Sequence, residues 1–533
     1  MHRRWLFVAS CIALVTSAFT FQVRGEILQE MGDAFRLSQE NKGAIEGAVF
    51  LGMAISMVVG GFICDLLGMK RIMWLAFFCH LIGVAGTIFA PWFVGDTPKV
   101  QLPLGGEATF WWLYLASLFM GFGNGMTETG INPLAATLYP DRKTHMLNIL
   151  HAWWPGGLIL GGLAVLFLRK GIDLQVVFIP GLNLTFGDFA SWQVSLFLIA
   201  IPCLIYGLML IGQQFPETER VAAGVSTGQM LAQVGRPLFL ILAFCMLLTA
   251  STELGPQKWQ ESVMSRTAQV SGTLILVYTS GLMFVLRHFA GPLAQAISPI
   301  GILLVSSLLS AVGLYLLSTA TNAATAFGYA TIFGLGIAYY WPTMLGVTAE
   351  RFPKGGALLL CLMGSAGNLA ISQVLPQMGK VYDRYAVERL EELDPAAAKR
   401  FIKTQDSART IDQEKVQKEL DLFMTLSPAQ RQKLAVELAS QVPQVVDKLA
   451  GKAPFLAREF KLAMEAARQL DLTAEQRQLL EVKSAVQAAE AYGAAISFRL
   501  VSILPAVLVL IFGLIYLYDT MRGGYKAEAI SGH

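Results

Sequence analysis

The stretch FWWLYLASLFMGFGNGMTETGINPLAATLY, Phe110 to Tyr139, contains one charged side chain, Glu128. A helix needs about 20 apolar residues to cross a hydrocarbon core of roughly 30 Å, and this stretch is long enough. Reading it as a membrane span decides the fold, because the rest of the chain repeats the pattern. Of 533 residues, 54% are hydrophobic, 14% are charged and 50 are Gly. That is the composition of a polytopic membrane protein, not of a large soluble enzyme. Twelve apolar runs are expected, near 5–24, 43–66, 72–94, 110–139, 146–168, 189–213, 237–254, 271–293, 299–318, 324–349, 356–380 and 493–518.

The first run follows Arg3 and Arg4 and also has the form of a secretory signal peptide. Kept in the chain, it makes the spans even in number and puts both termini on one side. The basic clusters Lys70-Arg71, Arg142-Lys143, Arg220, Arg351–Lys354 and Arg522–Lys526 then share that side. The positive-inside rule makes it cytoplasmic, in what is expected to be the plasma (inner) membrane. The expected fold class is an all-α membrane protein of twelve transmembrane helices in two pseudo-symmetric six-helix bundles, with a helical soluble insertion between helices 11 and 12. Its parts are an N-terminal bundle (1–215), a cytoplasmic linker (216–236), helices 7 to 11 (237–383), the insertion (384–490), helix 12 (491–520) and a cytoplasmic tail (521–533).

The insertion carries nearly half of the charged residues, and apolar residues recur at three and four spacing in 428–450 and 457–492, with Pro395, Pro428, Pro443 and Pro454 as punctuation. This predicts a small bundle of amphipathic helices. It follows an outward-going helix, so it is expected on the extracytoplasmic face, as a spacer or lid, a docking point for a partner, or a gate at the outer mouth. Its charge signs are nearly balanced, which argues against nucleic acid. All six cysteines lie inside apolar runs without the spacing of a metal site or disulfide framework, so they are read as packing residues.

A second motif, GGFICDLLGMKR, occupies Gly60–Arg71. Its Gly61, Asp65, Gly68, Lys70 and Arg71 resemble the loop 2-3 signature of the major facilitator superfamily, and that resemblance implies a conformational gate at these residues. The glycines allow close helix approach. The aspartate can meet a basic residue or a helix N-terminus in one conformation only. Met69 stands where the family often has its first basic residue, so the partner of Asp65 is left open. An echo at RHFAGPLAQAISPIG, Arg287–Gly301, lacks the aspartate. There Arg287 and His288 are expected at the cytoplasmic end of helix 8, with snorkelling to the interface read ahead of a catalytic role.

In the fourth run, Glu128, Asn132 and Pro133 fall at i, i+4 and i+5, so carboxyl and amide share a face beside a loosened backbone. TETGINPL resembles the ETxxNP pattern of the L-fucose/proton symporter and glucose/galactose transporter branch, and GEIL, Gly25–Leu28, resembles its acidic helix 1 pattern. The resemblance implies proton coupling through Glu128 and Glu26. From the residues themselves, Glu26 lies beside Arg24 just past a short first run, which suits a mouth or salt-bridge role as well. A carboxylate in hydrocarbon is costly, so Glu128 is expected to face the cavity and exchange protons there, or to bond a neighbouring helix.

Further candidates for solute binding are Asn132, Asn148, His151, Trp154, Glu253, Gln257, Trp259, Tyr340, Trp341 and Asn368, which sit at or near proline-marked helix breaks. Transporters place binding sites at such breaks. Amides and aromatic faces suit a polyhydroxylated ring, although Trp, Tyr and Asn also serve interfaces and helix packing. The expected function is secondary transport of a small polar solute, most readily a sugar, by proton symport with alternating access, in a lipid-embedded monomer. The alternatives are a drug or organic-anion exporter, or a non-transporting sensor or platform built on the insertion. Helix 4 lacks the arginine that many proton/drug antiporters carry near its start, and the glycines of Pro155–Gly162 do not follow the antiporter order. No nucleotide loop, HExxH pair or nucleophile elbow is present in the sequence, so neither an enzyme nor a cofactor or metal is expected.

Overall fold

The computed structural model describes residues 2–35, 37, 39–94, 108–171, 178–179, 184–185, 189–393, 395 and 474–529. They are almost all helical: α1 (Arg3–Ala34), α2 (Gln39–Leu67), α3 (Met69–Ile88), α4 (Ala108–Leu138), α5 (Lys143–Gly171), α6 (Ser191–Leu210), α7 (Pro237–Thr267), α8 (Gly272–Arg287), α9 (Ala290–Leu317), α10 (Ala323–Ile337), α11 (Tyr340–Arg351), α12 (Gly356–Leu393), α13 (Ala474–Val501) and α14 (Ile503–Met521). Among the described residues, nine helical stretches are long and apolar enough to cross a membrane, and Gly272–Arg287 is a shorter apolar helix. The chain divides into two units, one of Met1–Gly379 with Ser497–His533, the other of Lys380–Ile496. Within the second, Leu390 packs with Ala489, and Arg389 lies over the Tyr492 ring. The expected helices of 428–450, and the part of those of 457–492 before residue 474, lie outside the described residues.

In the larger unit, α4 packs between α2 and α3, α1 lies against α5 and α6, and α9 lies against α10 and α14. The α2–α4 contact explains part of the glycine content. A Cβ at Gly121 would strike the Val49 backbone, and one at Gly52 the Leu118 carbonyl. Without a hydrophobic driving force between helices in lipid, such backbone approach is how spans associate. Contacts between the helices before residue 215 and those after 237 include α5 against α8 and α11 and α2 against α12, where Met53 and Met57 pack with Cys361.

Two tight bends match in register. Gly68 has φ 81 and ψ 147 between α2 and α3, and Ser298, 230 residues later, has φ 65 and ψ 159 within α9. The same offset relates Gly61 to Gly291 and Asp65 to Gln295. The second copy therefore keeps a left-handed bend that glycine adopts without strain, with a serine whose Oγ accepts from Gly301 N at 3.2 Å.

Two expectations are corrected. The first span does not end at residue 24. Helix α1 runs through Glu26 to Ala34, because Arg24 is buried and its charge is met inside the protein, Nη2 donating to Glu46 Oε1 at 2.5 Å and to Ser117 Oγ at 2.9 Å. Arg24 is thus the partner of Glu46, not of Glu26. Nor does Arg287 snorkel. It is 1% exposed, because its guanidinium is bonded inside the bundle to His151 O, Ala338 O and Glu253 Oε1. All six cysteines are buried and unpaired.

Candidate functional site

The cavity of the larger unit has about 860 Å³ of empty space, its open mouth included, and is lined by α1, α2, α4, α5, α7, α8, α11 and α12. Its walls combine apolar faces (Phe21, Phe50, Trp154, Trp341) with the charged groups Glu128, Glu253, Lys258 and Arg287. Phe21 meets Trp154 edge to face at 4.9 Å and Phe50 at 5.1 Å, an arrangement favoured by ring quadrupoles. Most of the wall is therefore flat and apolar, and polar groups are few and placed.

Glu128 is buried in the wall, in the helical turn loosened by Pro133. Asn132 Nδ2 donates to Glu128 Oε2 at 2.6 Å, and His151 Nε2 meets Asn132 Oδ1 at 2.9 Å. With the amide so oriented, Nε2 is the ring nitrogen that carries hydrogen. His151 Nε2 lies 3.7 Å from Glu128 Oε2. A carboxyl, an amide and an imidazole therefore form one buried chain between α4 and α5. On the other side of the cavity Arg287 Nη2 donates to Glu253 Oε1 at 3.2 Å.

The structure brings Glu128, His151, Trp154, Glu253, Gln257, Trp341 and Asn368 together around the cavity, with Asn132 directly behind Glu128. It does not bring Glu26 there. Glu26 is exposed and accepts from Gln22 Nε2 at 3.2 Å, one turn away on its own helix. Asn148 lies between helices, Nδ2 donating to Thr343 Oγ1 at 3.2 Å. The Tyr340 hydroxyl meets Ser310 Oγ at 2.5 Å, and Trp259 is half-buried beside Gly379. Sequence reasoning missed Lys258 and Arg287. Lys258 lies past the expected end of the seventh run at 254, and α7 in fact continues to Thr267. Arg287 was legible only as a lone cation in an apolar run.

One end of the unit is shut. It carries the start of α1, where Trp5 Nε1 donates to Met209 O at 3.0 Å, and the tail, where Arg236 pairs with Glu528 at 2.6 Å; it is called the terminal end below. Asp65 is buried, Oδ2 accepting from Arg220 Nε and Oδ1 from Thr218 Oγ1, both at 2.6 Å. The basic pair of the motif does other work: Lys70 Nζ donates to Gln213 O at 2.7 Å, and Arg71 Nη1 to Leu67 O at 3.2 Å. Glu350 accepts from Thr144 N at 3.0 Å and from the Tyr525 hydroxyl at 2.7 Å. Burial pushes that hydroxyl well above the usual tyrosine range, so it remains a donor.

Glycines seat both sides of this end. A Cβ at Gly61 would lie 2.8 Å from Cys361 Cβ, and one at Gly291 2.8 Å from the His145 ring. Overpacking of that kind costs about 1–3 kcal/mol. Gly291→Leu should therefore wedge the start of α9 from α5 and speed alkylation of the buried Cys361 across the same end, read by N-ethylmaleimide labelling and mass spectrometry. An unchanged rate would mean that the two contacts do not open together.

A family model described as Major Facilitator Superfamily matches residues 6–372. Among solved structures, the chain is similar to the proton:xylose symporter XylE bound to 6-bromo-6-deoxy-D-glucose, at 15% identity over 71% of this chain and 89% of that one, with a TM-score of 0.58. It is similar to the Escherichia coli fucose:proton symporter FucP at 16% identity, over 71% of this chain and 92% of that one, TM-score 0.56. A bacterial homologue of the human lysosomal transporter Spinster, in an inward-facing and unoccupied conformation, is 14% identical over 96% of each chain, TM-score 0.55. No curated protein sequence matches significantly.

Proposed function

The chain belongs to the Major Facilitator Superfamily, and from that premise we propose that it is a secondary transporter of a small polar solute, a sugar, driven by proton symport. The observation that carries this reading is the cavity itself, where Glu128 and its Asn132–His151 chain face groups from helices on both sides of the linker. Glu128 would take up and release the proton. Trp154 and Trp341 would stack on the apolar face of a sugar ring, while Gln257, Asn368 and Glu253 would bond its hydroxyls. The kinship in fold with FucP and XylE, two sugar:proton symporters, agrees with this choice of solute.

In this reading twelve spans form two six-helix halves, 1–215 and 237–383 with 491–520. Helices α10 and α11 together make one broken span, and 384–490 is an extracytoplasmic insertion. Both termini are cytoplasmic, so the terminal end is the inner gate and Gly61, Asp65 and Gly68 form part of it. The halves rock about the cavity, exposing it to one side at a time. Glu26, exposed on α1, is left with a role at the mouth.

A second reading has one observation in its favour. Lys258 lines the cavity with its ammonium 5.5 Å from the Phe21 ring centre, and among the described residues no carboxylate lies within 4 Å of it. A cation held in the wall without a close ion pair suits an organic anion. The test is uptake into proteoliposomes of a panel of neutral sugars and sugar acids, with and without an imposed proton gradient. Gradient-driven accumulation of a neutral sugar is expected. Accumulation of acids alone would move the assignment to the second reading, and solute binding without flux would make the protein a sensor. Deletion of 386–489 then shows whether the insertion takes part.

A further inference from the structure

A proline within a helix has no N–H, so the carbonyl four residues before it loses its helical donor. Pro155 in α5 does this to the carbonyl of His151; the carbonyl of Ala338, just past the end of α10, has Pro342 of the first turn of α11 four residues on, and so finds no N–H there either. A buried carbonyl without a partner is costly. Both are satisfied by one side chain from a third helix: Arg287 Nη1 donates to His151 O and Arg287 Nε to Ala338 O, each at 2.6 Å. Its remaining arm, Nη2, holds Glu253 Oε1, whose charge offsets the guanidinium in the protein interior. Arginine's planar fork reaches three acceptors in fixed directions, which an ammonium cannot.

We propose that Arg287 is the positioning residue that fastens the proline breaks of two helices, one on each side of the interhelical seam, and so latches α5 to α8 beside the cavity. His151 is the point of exchange. Its ring meets Asn132, which holds Glu128, and its carbonyl meets Arg287, which holds Glu253. Glu128 and Glu253 are thereby joined through His151, by hydrogen bonds to its ring on one side and to its backbone carbonyl on the other. Parting α5 from α8 must break the link at His151 O and leave that carbonyl without a donor. The latch favours the arrangement in which the terminal end is shut, and a change at either carboxyl can be felt at the break.

Full-length protein in detergent tests this through the alkylation rate of Cys361, which is buried at the shut end. Arg287→Gln should raise the rate on the order of tenfold. Arg287→Lys, which keeps the charge beside Glu253 but cannot span both carbonyls, should also raise it and serves if the glutamine variant does not fold. Adding Pro155→Ala and Pro342→Ala to Arg287→Gln returns an N–H to each orphaned carbonyl but makes no bond between α5 and α8, so the thermal midpoint should recover while the alkylation rate stays raised. An unchanged rate in folded Arg287→Lys would overturn the proposal. So would recovery of the wild-type rate on adding Glu253→Gln to Arg287→Gln, because Arg287 would then serve only to neutralise Glu253. The readout needs no solute or gradient, so its failure is separate from any failure of the transport reading.

Discussion

Asp65→Ala should destabilise the shut arrangement by about 3–5 kcal/mol, the cost of stranding one member of a buried ion pair. Asp65 and Arg220 side chains are 2% and 7% exposed, so solvent can do little to replace the lost partner. Removing the carboxylate leaves Arg220 Nε and Thr218 Oγ1 without their acceptor, while Arg220 Nη1 still holds Val225 O at 2.6 Å. The guanidinium is therefore tethered and cannot swing out freely. Two measurements check this: the thermal midpoint of the purified protein, which should fall, and Cys361 alkylation, which should quicken. Arg220→Ala in the same chain should recover part of the loss, because the double variant has no uncompensated charge. A cost under about 1 kcal/mol, or strict additivity of the two changes, would show that the pair does not hold this end together.

That pair also shows where the sequence stopped being readable. Asp65 was recognisable from its spacing to Gly61 and Gly68, but its partner lies 155 residues away in the linker, and nothing local points to it. Lys70 and Arg71, the obvious neighbours, turn to backbone carbonyls instead. Apolar periodicity likewise located most spans while misplacing their ends. Arg24 stands at the expected end of the first run and Lys258 past that of the seventh, yet α1 and α7 continue past them because tertiary contacts and a cavity receive those charges. Glu128 with Asn132 was legible because both lie on one turn of one helix. Glu26 does not join it in the cavity wall, because a short motif fixes neither the face of the helix nor its depth. Arg287 was the hardest to read, since its three acceptors come from three other segments and two of them are backbone carbonyls.

Glu128→Gln should lower gradient-driven accumulation on the order of 100-fold, the scale of losing a positioned proton-transfer group, while leaving solute exchange in place. The amide is nearly the size of the carboxyl and can still meet Asn132, so packing around His151 should survive and the thermal midpoint should move little. What the substitution removes is the choice between a charged and a neutral side chain. A carrier that couples through Glu128 must alternate between those forms as the cavity opens to each side, because moving a bare carboxylate through a desolvated state is costly. With glutamine the side chain is permanently neutral, so the empty and loaded carriers can both reorient and the gradient no longer biases either. Counterflow of labelled solute in proteoliposomes, run beside accumulation under an imposed proton gradient, separates the two steps. Loss of accumulation with retained counterflow is the expected result, and loss of both would make Glu128 a solute ligand or a structural hydrogen-bond partner instead. Retained accumulation would remove the proton from Glu128 altogether and direct attention to Glu253, the other buried carboxyl in the wall.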